Sequence, residues 1–139
     1  MDLGPIDLDL TLDCGQAFRW RKNEGAWTGI VKGELVRLER RGPNVDVETE
    51  LSSREIESYF RTDDDLDDIG RQLDLDSEVR RLRKRFPGLR LLRQEPWECS
   101  TSFLLATNAN VPRIKKMIES VCTRFGHEIS GGLLVPHPG

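Results

Sequence analysis

At 139 residues the chain has room for one ordinary domain, or for one domain and the beginning of a second. Charged residues make up 32% of it, and no apolar run approaches the roughly 20 residues needed to cross a bilayer, so a soluble rather than a helical membrane protein is expected. The net charge of −3 says little about partners, because an acidic stretch from 63 to 78 is followed directly by a basic one from 80 to 93.

The start, Met1 to Pro5, has neither a basic n-region nor an apolar h-region, so no secretory signal is read there and a cytoplasmic location is expected. Cys14, Cys99 and Cys122 are odd in number and widely spaced, and no His stands at metal-ligand spacing. Free thiols, no metal site and no cofactor are expected, with Cys99 and Cys122 as small buried hydrophobes of two helices. His127 and His137 lie in a Gly/Pro-rich tail with no carboxylate or thiol placed to work with them, and no chemistry is assigned to either.

In chain order, Ile6, Leu8, Leu10 and Leu12 alternate with polar residues, the period of two expected of a half-buried strand. Beyond a Gly-containing break come Phe18 to Arg21, a turn at Lys22 to Gly25, and extended segments at Trp27 to Val31, Leu35 to Glu39 and Val45 to Glu48. Turns at hairpin intervals imply an antiparallel meander. After Leu51 the period becomes helical. Ser52 and Glu55 fit a capping box before Ile56, Tyr59 and Phe60. Asp63 to Asp65 offer caps to a helix with Leu66, Ile69 and Leu73 inward, and a third helix runs from about Asp76 to Phe86. Pro96 opens a helix with Phe103, Leu104 and Leu105 as its apolar body. Pro112 opens the last, with Ile114, Met117, Ile118, Val121 and Phe125 inward and Gly126 at its end.

Two stretches are more specific than this outline. Gly15-Gln16-Ala17-Phe18-Arg19-Trp20 is one, and the other runs from Leu89-Arg90-Leu91-Leu92-Arg93-Gln94-Glu95-Pro96 through Glu98-Cys99 to Asn108-Ala109-Asn110-Val111-Pro112-Arg113-Ile114. In order and separation they resemble the 8-oxoguanine DNA glycosylase / AP lyase family. That resemblance implies an α+β fold: an N-terminal antiparallel β-sheet with flanking helices (TBP-like) over residues 1–94, then the incomplete start of an all-α helix-hairpin-helix domain over 95–139. The implied partner is double-stranded DNA containing oxidised guanine.

Residue by residue, Gly15 is by itself a turn glycine at a break, where the missing Cβ also lets a ligand approach the backbone. The resemblance implies lesion recognition: its carbonyl would accept from the N7 proton that 8-oxoguanine has and guanine lacks, and one buried donor present or absent discriminates sharply. Asn108 and Asn110 precede a helix, so capping is their plain reading. The family implies that Asn108 enters the duplex where the damaged nucleotide has been flipped out and that Arg113 meets the orphaned cytosine. Ala109 departs from the family's middle Asn. Lys115 and Lys116, beside the last helix's first amides, are candidate phosphate contacts, whereas the Arg-rich 80–93 stretch reads as a solvated helix face paired with the acids before it. Phe18, Trp20 and Trp27 read as core, and Gln16 and Arg19 as braces of the sheet.

The family's catalytic Lys and Asp belong to a later segment, and this sequence ends at Gly139, so no catalytic residue is assigned and the chain alone is expected to be inactive. A second polypeptide carrying the catalytic half would complete it. A non-catalytic damaged-DNA-binding module and a decayed gene product are the competing readings. Either way Phe103, Leu104, Ile118 and Val121 are expected to be left partly exposed.

Overall fold

The computed structural model describes residues 1, 3–42, 44–128 and 134–136. The first element corrects the sequence reading. Leu8–Asp13 is a helix, α1, not a strand. Asp7 caps it by accepting from the Leu10 amide at 2.9 Å, and the buried positions Leu8, Thr11 and Leu12 follow helical spacing. A tertiary contact favours this choice: the buried Thr11 hydroxyl accepts from the Arg90 amide at 3.2 Å, and the Asp7 amide donates to the Gly88 carbonyl at 2.8 Å. Leu8 and Leu12 satisfy either period, so the alternation alone could not decide.

The expected meander is present, as β1 (Arg21–Asn23), β2 (Ala26–Val31), β3 (Glu34–Arg41) and β4 (Asn44–Glu48), antiparallel in the order β1-β2-β3-β4. Register sets Trp27 opposite Leu38 and Leu38 opposite Val47. Its buried face carries Trp27, Val31, Val36, Leu38 and Val45, joined by Leu3, Leu12, Trp20 and Leu92 in the main core. Trp20 lies flat on the backbone of β2 at Gly29, where a Cβ would overlap its ring carbons. Its indole Nε1 donates to the Tyr59 hydroxyl at 3.0 Å, and its ring centroid lies 6.2 Å from those of Tyr59 and Phe60. Trp20 therefore links the sheet to α2 (Ser53–Phe60), whose inward residues are Ile56, Tyr59 and Phe60 and whose Ser52/Glu55 capping box is formed as expected.

Next come α3 (Leu66–Leu73) and α4 (Ser77–Arg85), capped by Asp65 and Asp76. These two pack chiefly on each other, with the Arg83 guanidinium over Gly70 and ion-paired to Asp74 at 2.7 Å. Ile69 and Leu73, expected inward, are exposed, because α3 buries only Gly70. The final pair is α5 (Pro96–Leu105) and α6 (Val111–Phe125), and it forms a second, smaller core from Ile114, Ile118 and Cys122 with Phe18, Leu105, Ala106, Ala109 and Met117 around them. Phe103 and Leu104 stand exposed, as expected of an apolar face with no neighbour. Ile118 is buried instead, Val121 is half-buried and Phe125 is exposed, since the seam of α6 against α5 runs through 114, 118 and 122.

Cys122 is buried as anticipated, but Cys99 is exposed on the outer side of α5. A hairpin not foreseen in the tail, β5 (Gly126–Glu128) with β6 (Leu134–Pro136), packs beside α6. His127 is in β5, and His137 lies outside the described residues. The whole is a mixed α+β architecture, as the resemblance implied. No helix among the described residues is long and apolar enough to cross a membrane.

Candidate nucleic-acid interface

Gly15 follows the C-terminus of α1 with a φ of +88°, a conformation that side-chain-bearing L residues rarely adopt. A Cβ built there would sit 3.7 Å from Cγ2 of Val111, the first residue of α6. Residues nearly a hundred positions apart thus meet on one surface. Gln16 secures the break from the other side. Its side-chain amide donates to the carbonyls of Thr11 (2.9 Å) and Arg90 (2.8 Å), and its Oε1 accepts from the Leu92 amide at 2.9 Å. Gln16 therefore braces α1 against residues 90–92, not the sheet as the sequence suggested.

Across from Gly15, the Ala106–Asn110 connection presents the second set of residues. Asn108 is exposed at φ +58°, the left-handed region that Asn tolerates better than most residues. Asn110 caps α6, accepting from the Arg113 amide at 3.0 Å, which is the plain capping reading of that residue. Ala109, between them, is half-buried against the second core, so its side chain is turned inward while Asn108 faces solvent. Arg113 and Lys116 are exposed on the first turns of α6. Lys115 is not: it is half-buried and paired with Asp13 at 3.1 Å, a partner 102 positions away that sequence inspection does not reveal.

Three ion pairs join the segment around Gly15 to the α5–α6 pair: Asp13 with Lys115, Arg21 with Glu119, and Arg19 with Glu98 at 3.9 Å. The last is the most buried, with side chains 8% and 21% exposed. Burial pushes the Glu98 carboxyl up from its ordinary range, Arg19 pulls it back, and Glu95 pushes it up again. Arg19, read from sequence as a brace of the sheet, faces Glu98 of α5 instead. Trp20 and Trp27 are core as expected, and the Trp27 Nε1 donates to Asp9 at 2.8 Å.

The Arg-rich stretch is engaged elsewhere. Arg81 pairs with Glu78 at 2.7 Å, Arg83 with Asp74, Arg90 donates to the Arg61 carbonyl at 2.7 Å, and Arg93 to the Ser58 hydroxyl at 2.9 Å. Among the described residues no group of three or more His, Cys, Asp or Glu side chains could hold a metal ion. What the surface offers is a backbone carbonyl region at a glycine, an exposed Asn on a tight loop, and exposed cations at a helix start.

Similarity to known proteins extends over most of the chain. The chain is 30% identical over 126 residues to the N-glycosylase/DNA lyase OGG1 of Arabidopsis thaliana, covering 84% of this chain and 34% of that protein. It is 36% identical over 72 residues to the N-glycosylase/DNA lyase of Saccharomyces cerevisiae, covering 52% of this chain and 19% of the other. The apo-form crystal structure of the Clostridium acetobutylicum 8-oxoguanine glycosylase/lyase superposes with a TM-score of 0.84 at 30% identity, covering 96% of this chain and 49% of that one. That enzyme has also been solved with double-stranded DNA containing cytosine opposite 8-oxoguanine, and this chain covers 48% of it there. The chain thus spans about a third of its Arabidopsis relative and about half of the solved one. With residues 1–99 matching the model of the 8-oxoguanine DNA glycosylase N-terminal domain, the chain belongs to that family.

Proposed function

We propose that this chain is the DNA- and lesion-contacting part of an 8-oxoguanine DNA glycosylase/AP lyase of base-excision repair, acting in the cytoplasm. Residues 1–94 form its N-terminal domain and 95–139 the start of a helical domain, a division supported by the two separate apolar cores. One observation carries the reading: Gly15 abuts the first residue of α6, so the glycine and the Asn108 loop share a surface. The Gly15 carbonyl reads the N7 proton of the lesion, Asn108 fills the space left by the flipped nucleotide, and Arg113 meets the orphaned cytosine. Asn110 shapes the loop as its cap, Lys116 contacts phosphate, and Lys115 is a second phosphate contact held back by its ion pair with Asp13. Base excision itself is assigned to groups outside these 139 residues, in cis or on a second polypeptide.

Competition binding of duplexes carrying 8-oxoguanine or guanine opposite cytosine tests this. Preference for the damaged duplex is expected, together with no borohydride-trapped adduct from this chain alone. Equal affinity for the two duplexes overturns the reading, and an adduct overturns the assignment of chemistry elsewhere.

The Asp13–Lys115 pair yields a prediction of opposite sign to most substitutions. Asp13→Asn removes a negative charge from the surface and frees Lys115 for phosphate, so duplex affinity should rise about threefold at low salt. Its salt dependence should steepen by up to about 0.9 in log–log slope, the value for one extra phosphate contact. Titrations at several salt concentrations read both numbers, and a fall in affinity contradicts the role given to Lys115.

A further inference from the structure

We propose that Arg19 and Glu98 are positioning residues for lesion discrimination: the ion pair between them holds the Gly15 segment in place against α5 and α6, and hence against the loop carrying Asn108 and Arg113. This rests on the functional reading above and adds a device to it. The segment Gly15 to Trp20 is where the two cores divide, since Ala17 and Trp20 enter the main core while Phe18 packs on the second. Arg19 lies between those anchors and reaches α5 with a side chain that is 8% exposed. Glu98 lines crevices on both sides of the junction, one with Tyr59 and Arg93, the other with Ser102, Ile118 and Cys122. The other two ion pairs at this junction have side chains one-third to three-fifths exposed, where solvent and salt weaken them. In some proteins a buried pair adds little stability yet favours one arrangement, because breaking it leaves a desolvated charge without its partner.

The test uses the full chain with Arg19→Gln, Glu98→Gln and Arg19→Lys, studied well below their melting temperatures. Amide NMR shifts of Gly15 and Val111 are read without DNA, and the ratio of affinities for 8-oxoguanine and guanine duplexes is read with it. Both amides should move in the two Gln variants, and the ratio should fall about threefold or more. Arg19→Lys, which keeps the charge, should retain most of the ratio. If a single Gln variant fails to fold, Arg19→Met/Glu98→Leu removes both charges together and should fold with the ratio still lowered. Unmoved amides, or a full ratio in the neutral pair, overturn the inference. A parent chain that binds both duplexes equally overturns the functional reading instead, and the amide shifts then decide the geometric part by themselves.

Discussion

Replacing Gly29 by alanine is expected to destabilise the chain by about 3 kcal/mol, near the upper end for forcing a carbon into a packed core. The added Cβ would overlap the Trp20 indole, which is 1% exposed and held between β2 and the Tyr59 and Phe60 rings. Neither side can yield easily. The methyl would stand on the backbone of β2, which pairs with Val36 of β3 at Gly29 and with β1 from the adjacent Thr28, and the indole would have to give up its hydrogen bond to the Tyr59 hydroxyl to move. Denaturant unfolding followed by circular dichroism reads the loss, and tryptophan fluorescence should shift as Trp20 is displaced. A midpoint equal to that of the parent would mean that the ring does not lie on Gly29 as described.

Alanine at Gly15 should instead remove most of the preference for damaged DNA, by about tenfold or more, at a modest cost in stability. The backbone strain of a side chain at positive φ is about 1–2 kcal/mol. Because Gly33 has nearly the same φ, +82°, and no atom within 4 Å of a would-be Cβ, Gly33→Ala supplies the matching control. It should carry the strain alone and leave recognition untouched. Losing one well-placed buried hydrogen bond to a lesion-specific donor accounts for the tenfold figure, which corresponds to about 1.4 kcal/mol. Competition binding of the two duplexes against both variants makes the measurement. Equal losses of preference in the two variants would show that strain, not position, is responsible.

Much of this was readable from residue order because it is local. The capping box at Ser52, the Asp65 and Asp76 caps, the proline at the head of α5 and the hairpin spacing all act within a few residues of themselves. Failures came where a distant partner decided. α1 alternates like a strand, yet Thr11 belongs inside a helix because Gly88 and Arg90 pass beside it. Cys99 faces outward because the inner seam of α5 is taken by Glu98, Ser102 and Leu105. In the candidate interface, Gly15, Asn108 and Arg113 are nominated by motif likeness alone, whereas the carboxylates Asp13 and Glu98 beside them carry no such signal. Nothing in the spacing of a carboxylate announces a cation a hundred positions away, or eighty.

Gln16 shows what such long-range tethering implies for how the molecule opens. One side-chain amide closes contacts to Thr11, Arg90 and Leu92, and the Gln94 side chain donates in turn to the Gln16 carbonyl. Gly15 and the Leu-Arg-Gln run therefore belong to one cooperative unit: a fluctuation that frees either must break both. Slow exchange of the Leu92 amide would accordingly report on the integrity of a surface several residues away.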